Sequence, residues 1–557
     1  MVSLASSVDW WARTEPTRTA LIYLDQRLSY ADLRRRVVAL TGLLAARGVR
    51  PGDVVALLMK NSAAFIELSL AVSRAGAVLL PINYRLSADE VGYIVGHAGA
   101  VLVFVDDELR ASAGDFAAVM EVGAAAQADG SRLIAEAAQR EVDSMRHAAG
   151  SEAVQLGSDD ALSAADGKAT PRSSRLRASD APQWTVAVSA GEAAPSSTPD
   201  TLFRLMYTSG TTDRPKGVTH TYGNYAWKCL AHITALGLAR DDRLLVVGPL
   251  YHVGAFDLPG LAVLLVGGCL AVMREFEPQA ALELIERERL TGGWMAPVML
   301  NRCLALPGRD RFDLTSFRWL IGGGERTPEE RIREFTQLFT RARYIDAYGL
   351  TETCSGDTMM EAGREIDRIG STGRALAHVQ IAIRSDDGAW LPAGATGEIC
   401  LRGPKVFRGY WRDEARTAAA FDGDWFRTGD VGHLDDEGFL YLTDRKKDMI
   451  ISGGENIASS EVERVLYRLP QVAEAAVVGL PDDRWGERVV AVVVPRPGTT
   501  LTFDELRAHC TGLLGGFKIP KQLVLRDVLP RNPSGKVLKR VLRDELAERG
   551  CAAGPRT

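Results

Sequence analysis

Residues 207–218 read YTSGTTDRPKGV, placing four Ser/Thr hydroxyls, two glycines and Lys216 in one short stretch directly after the apolar run Leu202–Met206. Glycine lets backbone N–H groups approach an anion closely, hydroxyls add donors, and lysine adds charge. Phosphate is the natural guest of such a loop. The spacing is not that of the common nucleoside-triphosphate loop, G-x-x-x-x-G-K-[ST]. No second glycine lies between Gly210 and Lys216, and Gly217 follows the lysine where a hydroxyl is required. No G-x-G-x-x-G opens a helix after the first strand either. Ordinary P-loop ATPases and nicotinamide dehydrogenases are therefore disfavoured.

Three further segments share the design of an apolar run that stops at a polar or glycine-rich turn. Leu244–Pro249 ends at Tyr251, His252 and Gly254. Phe317–Ile321 ends at Gly322, Gly323, Gly324 and Glu325. Tyr344–Ala347 ends at Tyr348, Gly349, Thr351 and Glu352. In open α/β sheets ligands bind beyond the carboxyl ends of strands, so the four ends predict one shared polar crevice.

The elements that must position these groups are legible from periodicity. Ser29 caps a run with helical spacing to about residue 44. Val54–Met59, Ala77–Pro81 and Val101–Val105 read as short buried strands separated by helices, which implies parallel sheet built from βαβ units. Residues 123–199 are rich in Ala, Ser, Asp and Gly and poor in large apolar residues. They read as a solvated insertion, with a surface helix expected around 131–145. Regular α/β patterning resumes at Asp200 and is expected to continue to about residue 440. The charged run 443–448 is a candidate hinge. Beyond it Ser460 and Glu463 form an expected capping box, and strands at Ala475–Leu480 and Arg488–Pro495 precede a helix from Phe503. The expected fold is α/β: a large N-terminal multi-sheet domain, residues 1–446, and a small mobile C-terminal α+β lid domain, residues 447–557.

With these residues in view, YTSGTTDRPKGV closely resembles the phosphate-loop signature of the adenylate-forming superfamily, which contains acyl-CoA synthetases, aryl-CoA ligases and peptide-synthetase adenylation domains. YGLTET at 348–353, TGD at 428–430, DRKKDMIISGGENI at 444–457 and PRNPSGKVLKR at 530–540 resemble its later signatures, in order. The resemblance implies two half-reactions in one site. A carboxylate attacks the α-phosphorus of ATP to give an acyl-adenylate and pyrophosphate; a thiol then attacks the acyl carbon and AMP leaves. It also implies the roles. Thr208, Ser209, Gly210, Thr211, Thr212 and Lys216 would wrap the β,γ-phosphates. Thr351 would touch the α-phosphate, and Glu352 would ligate Mg²⁺. Gly323, Gly324, Glu325, Asp346, Ala347, Tyr348 and Gly349 would frame the adenine. Asp430, with Arg445 close by, would hold the ribose. Lys536 would bridge carboxylate and α-phosphate during adenylation, carried in by the small domain. Lys447 would sit at the hinge, and Gly453 and Gly454 would meet the pantetheine of CoA in the second step.

Residues outside those signatures carry alternatives. His252 either guards the acyl pocket and thiol approach or is a structural histidine. Asp257 reads as a helix cap before it reads as a partner for a substrate amine, and Trp294 and Met295 read as core before pocket wall. Cys354 has no mark of a nucleophile. The neighbours of Gly254 and Gly322–Gly324 are mostly apolar, so a hydrophobic acid is expected, aliphatic and of medium or long chain, with an aryl acid as the other choice. Free CoA is the expected acceptor. The alternatives are an acyl carrier protein's phosphopantetheine and, further off, a non-catalytic nucleotide-binding scaffold. GGENIASSEVE, where relatives have Tyr-Pro after Asn-Ile, departs from the pattern on the thiol route.

Composition bounds the rest. In 557 residues, 46% hydrophobic and 25% charged, with a net charge of −5, nothing favours a nucleic-acid partner. The seven cysteines are scattered without C-x-x-C spacing, as expected for free thiols in a reducing cytoplasm. The opening residues do not read as a secretory signal, and no apolar run reaches the ~18 residues of a transmembrane segment.

Overall fold

In this computed structural model residues 4–114, 116, 118–128, 132–133, 197–208, 214–323, 327–445, 448–452, 455–482, 484–531 and 536–552 are described. They form four sheets. The largest has nine strands. Its centre is six parallel strands in the order Arg343–Tyr348, Trp319–Gly322, Gly292–Met295, Arg243–Val246, Cys269–Val272 and Thr19–Tyr23. A second, six-stranded sheet runs Val119–Val122, Ala100–Asp106, Val54–Leu58, Val78–Pro81, Leu202–Thr208 and Lys216–Thr221; all neighbours are parallel except the last pair. Strands such as Val54–Leu58 and Val78–Pro81 are buried along their whole length, which explains their unbroken apolar runs.

Helix boundaries follow local chemistry. Ser29 and Asp32, Ser87 and Glu90, and Thr221 and Asn224 form reciprocal capping boxes. The helix Tyr222–Leu236 stops at Gly237, which adopts the left-handed conformation at φ 61° that a side chain would disfavour.

Two expectations are corrected here. Regular α/β patterning does not run to residue 440: strands between Gln380 and Arg445 make a third, antiparallel sheet. Turn-rich spacing there is that of hairpins, not of βαβ crossovers. Nor do Ser460 and Glu463 form a capping box. The helix Ser459–Leu466 has Ala458 at its N-cap, without a side-chain bond. Ser460 Oγ instead donates to the Thr443 carbonyl, and Glu463 accepts from the Val477 N–H at 2.8 Å and pairs with Lys539. Tertiary partners took both groups.

Past the charged run lies a separate small lobe with its own core. Strands Ile450–Ser452, Glu455–Ile457, Val472–Asp482, Gly486–Pro495 and Gln522–Leu525 form one sheet, packed by helices Ser459–Leu466, Phe503–Cys510 and Lys539–Ala552. This is the α+β lobe expected from sequence. Most of the stretch 123–199, with the helix expected at 131–145, lies outside the described residues.

Candidate functional site

The lysine of the opening motif stands on a hairpin. Strands Leu202–Thr208 and Lys216–Thr221 pair antiparallel, with Thr208 opposite Lys216 at the loop end. Ser209, Gly210, Thr211 and Thr212 lie outside the described residues. Thr208 Oγ1 is buried and makes no hydrogen bond, an unmet donor of the kind a phosphate oxygen satisfies. Lys216 Nζ donates to Glu352 Oε1 at 2.9 Å and to the Tyr410 hydroxyl at 2.5 Å. The Tyr410 hydroxyl itself donates to the same Glu352 oxygen at 2.9 Å. Burial, and then the Glu352 charge, push the Tyr410 hydroxyl well above the ordinary tyrosine range, so it stays a donor. The fold thus joins two residues singled out from distant motifs, and adds a tyrosine that no motif marked.

Thr351 and Glu352 sit in a single 3₁₀ turn, Thr351–Thr353, after the strand Arg343–Tyr348. The Thr351 carbonyl accepts a 2.7 Å bond from His220 Nε2. His220 Nδ1 in turn accepts from Arg204 Nε and Nη2 at 3.0 and 2.9 Å, which fixes the tautomer with the proton on Nε2. Burial first, and Arg204 second, hold this imidazole down at about 3. Tyr348 donates its hydroxyl to Asp430 Oδ2 at 2.9 Å, linking the expected adenine and ribose contacts. Asp430 lies opposite Arg445 in the pairing of strands Trp425–Leu434 and Leu440–Arg445. Asp346 and Ala347 are buried on the strand leading to Tyr348. At Gly349 a Cβ would collide with the backbone of Ser355 and Gly356, so the chain needs glycine there.

The third wall is apolar. His252 precedes the short helix Val253–Asp257, and its Nδ1 accepts the Gly254 N–H at 3.0 Å. A Cβ on Gly254 would stand 2.7 Å from the Trp294 ring, and a Cβ on Gly323 would stand 3.5 Å from Trp294 Nε1. Trp294 is therefore packed against these two glycines and buried in the core, as expected, and Met295 is core on the opposite side of its strand. Burial holds the His252 imidazole down at about 4; Asp257 acts against that, and the Lys536 ammonium of the small lobe acts with it.

Asp257 is neither a helix cap nor open to a substrate amine. It is fully buried, with Oδ2 2.6 Å from Arg204 Nη2 and Oδ1 3.4 Å from Lys228 Nζ. Burial alone would raise its carboxyl, but Arg204 and Lys228 outweigh that and hold it below the usual range. Arg204, Lys228 and His220 were missed in the sequence because their partners are remote along the chain. The one available signal was a charged residue, Arg204, inside an otherwise apolar strand. Cys354 is buried, and burial pushes its thiol up to about 12, consistent with no nucleophilic role. Gly324, Glu325, Lys447, Gly453 and Gly454 lie outside the described residues.

The crevice is built by loops of two sheets rather than one. The hairpin comes from the six-stranded sheet and the other three ends from the nine-stranded sheet. Its donor set fits a divalent cation such as Mg²⁺ only in part. Both Lys216 and Tyr410 bind Glu352 through Oε1, which leaves Oε2 as the hard oxygen for a cation. Among the described residues no three His, Cys, Asp or Glu side chains converge, so phosphate oxygens and water would supply the other ligands. Among the described residues no helix is long and apolar enough to cross a membrane.

Comparison with known proteins agrees with this geometry. Residues 8–411 match the family model described as AMP-binding enzyme, and residues 461–536 match the AMP-binding enzyme C-terminal domain. The chain is 36% identical over 529 residues to a feruloyl-CoA synthase from Amycolatopsis sp, covering 95% of this chain and 96% of that protein. It is 34% identical over 531 residues to the long-chain-fatty-acid–CoA ligase FadD13 of Mycobacterium tuberculosis, with 94% of each covered. Among solved structures, the o-succinylbenzoate CoA synthetase of Bacillus subtilis in complex with the acyl-adenylate intermediate OSB-AMP superposes with a TM-score of 0.77 at 29% identity, covering 98% of this chain and 99% of that one. By sequence over nearly its whole length and by the fold of both lobes, the chain belongs to the AMP-binding enzyme family, within the adenylate-forming superfamily of acyl- and aryl-CoA ligases.

Proposed function

We propose that this protein is an ATP-dependent acid–thiol ligase that converts a hydrophobic carboxylic acid to its acyl-adenylate and then to the CoA thioester. The observation that carries the reading is the cluster in which Lys216 Nζ and the Tyr410 hydroxyl both bind Glu352 Oε1, beside the unmet Thr208 hydroxyl. Lys536, in the last of the family's signatures, is the second cation of the reading. In the first step a carboxylate oxygen bonds to the α-phosphorus, the bond to the bridging oxygen breaks, and pyrophosphate leaves with the electron pair. Anions that repel one another are brought together, so positioning and charge neutralisation are what the protein must supply. Lys216 and Thr208 hold the leaving phosphates, Thr351 the α-phosphate, and Lys536 the attacking carboxylate. Mg²⁺, when bound at Glu352, supplies further charge neutralisation at the phosphates. Asp430 orients the ribose, and Tyr348 fixes Asp430.

In the second step the thiol of CoA gives up its proton to solvent and its sulfur bonds to the acyl carbon, the bond from that carbon to the phosphate oxygen breaks, and AMP departs with the electron pair. His252 is ill suited to take that proton. Its Nδ1 is occupied by the Gly254 N–H, and burial depresses its basicity to about 4. Its assigned place is beside the acyl pocket and the thiol approach instead. CoA as the acceptor is supported by the names of the relatives, which are CoA ligases.

The apolar surroundings of Gly254 and Gly323, with the buried Trp294 packed against both, support an uncharged acyl group. A medium- or long-chain aliphatic acid is the first reading. The similarity to a feruloyl-CoA synthase favours an aryl acid as the second. The deciding experiment incubates the protein with ATP, Mg²⁺, CoA and a panel of aliphatic and aryl acids, then measures pyrophosphate and acyl-CoA by mass spectrometry. Acid-dependent release of pyrophosphate with a matching acyl-CoA is expected. No acid-dependent release from any member would overturn the ligase reading, and an acyl-adenylate that CoA does not discharge would overturn the acceptor.

A further inference from the structure

We propose that Lys405 is a positioning residue for this site, a buried ammonium that holds the turn after Thr351 and Glu352 in a left-handed shape and so sets the α-phosphate and cation contacts. The inference rests on the reading of those two residues given above.

Three consecutive residues, Cys354, Ser355 and Gly356, have φ of +55°, +65° and +64°. Single left-handed residues are ordinary at turns, but a run containing two residues with Cβ atoms is disfavoured and persists only where its surroundings impose it. The run directs several backbone carbonyls toward one point, where like dipoles repel. Lys405 Nζ occupies that point. It donates to the carbonyls of Thr353, Ser355 and Gly356 at 3.1, 2.8 and 2.8 Å, and lies 2.7 Å from Asp357 Oδ1. Asp357 Oδ2 accepts the Thr353 hydroxyl at 2.5 Å, closing the turn on itself. Lys405 is 1% exposed and Asp357 0%, so water cannot substitute for either.

The grip extends to the functional carboxylate. Two residues beyond Lys405, the Phe407 N–H donates to the Glu352 carbonyl at 2.7 Å, and Tyr410 binds the Glu352 side chain. One segment, 405–410, therefore holds the turn from inside, the backbone of Glu352, and its carboxylate. His220 holds the Thr351 carbonyl from the opposite side. A loosened turn would carry Thr351 and Glu352 with it, because only Thr353 separates Glu352 from the left-handed run.

The test compares Lys405→Met with the double variant Lys405→Met/Asp357→Leu, which leaves no lone buried charge and keeps the question answerable if the single variant fails to fold. Two readouts are taken. The first, independent of activity, is amide hydrogen exchange of peptides spanning 350–357, whose N–H groups of Cys354, Ser355 and Asp357 bond within the turn and to Tyr348. The second is the Mg²⁺ concentration for half-maximal acid-dependent pyrophosphate release. Faster exchange is expected, together with a rise of about 10–100-fold in the Mg²⁺ requirement, as for other residues that orient a ligating group. Adding Ser355→Gly should recover part of the loss, since glycine accepts a positive φ without strain; a generic stability defect would not be relieved there. A folded variant with wild-type exchange, or with faster exchange and an unchanged Mg²⁺ requirement, overturns the proposal. If the wild-type protein releases no pyrophosphate with any acid, the ligase reading fails instead, and the exchange measurement still decides whether Lys405 holds the turn.

Discussion

At the scale of single residues, His220 shows how a buried side chain acts at a distance from the reacting atoms. Its folded state is held near 3, against 6.5 for an ordinary histidine, by burial and then by Arg204. Below pH 6.5 the unfolded chain binds a proton that the folded chain refuses. Stability is therefore complete above about pH 6.5 and is lost as the pH falls toward the folded value, by about 1.4 kcal/mol per pH unit for one such group. His232 and His252, also lowered by burial, act in the same direction. Urea unfolding between pH 6.5 and 5, a window above the ordinary carboxylate range, should show a steady fall, shallower in His220→Gln; equal slopes in both proteins would refute it. Lys536 offers the sharper functional test. Lys536→Ala should slow acyl-adenylate formation by about 10²–10³-fold, as removal of one preorganised charge-stabilising donor does. Thioester formation from supplied acyl-adenylate should be nearly unchanged, and an equal loss in both half-reactions would contradict the assigned role.

At the scale of elements, the acyl pocket proposed above depends on a fit between one short helix and one strand. Gly254 on Val253–Asp257 leaves room for Trp294 of Gly292–Met295, and an alanine methyl would stand within 2.7 Å of the indole. Gly254→Ala must displace the ring at a cost of about 1–3 kcal/mol. We expect kcat/KM for the preferred acid to fall about tenfold, since 1.4 kcal/mol is a factor of ten. Trp294→Leu in the same chain should restore activity toward bulkier acids; an unaffected acid profile in both variants would remove Trp294 from the pocket. The same scale explains what sequence reading missed. Ser460 and Glu463 have the types and spacing of a capping box, yet the Thr443 carbonyl, the Val477 N–H and Lys539 claimed them. Thr221 and Asn224 do cap the helix that begins at Tyr222, because the remote partners of Asn224, the Pro404 and Val406 carbonyls, take its Nδ2 and leave Oδ1 for the cap.

At the scale of the whole molecule, Arg331 of the large lobe and Arg496 of the small lobe carry like charges that act on each other. Burial first, and Arg331 of the large lobe second, make Arg496 of the small lobe a poorer cation, with Glu334 opposing them. Glu334 pairs with Arg331 at 2.6 Å and softens the contact without removing it. We expect that repulsion to disfavour this arrangement of the lobes relative to the others the proposed two-step cycle requires. Arg496→Gln should favour the present arrangement by about 0.5–1 kcal/mol, the scale of a partly exposed pair. Single-turnover adenylation would be unchanged or faster and the thioester step about 2–5-fold slower. Slower adenylation with a faster thioester step would reverse the assignment.

What the sequence determined by itself is what neighbouring residues settle among themselves. The helix cap at Ser29, the Thr351–Glu352 turn after its strand and the separate C-terminal lobe follow from local composition and periodicity. The family's contiguous signatures lie in those segments for the same reason. Only the tertiary structure decided the pairings across distance. Lys216 meets Tyr410, Arg204 meets Asp257, and Lys405 meets three carbonyls near residue 355. A buried charge needs a partner in space, and the chain does not write that partner beside it.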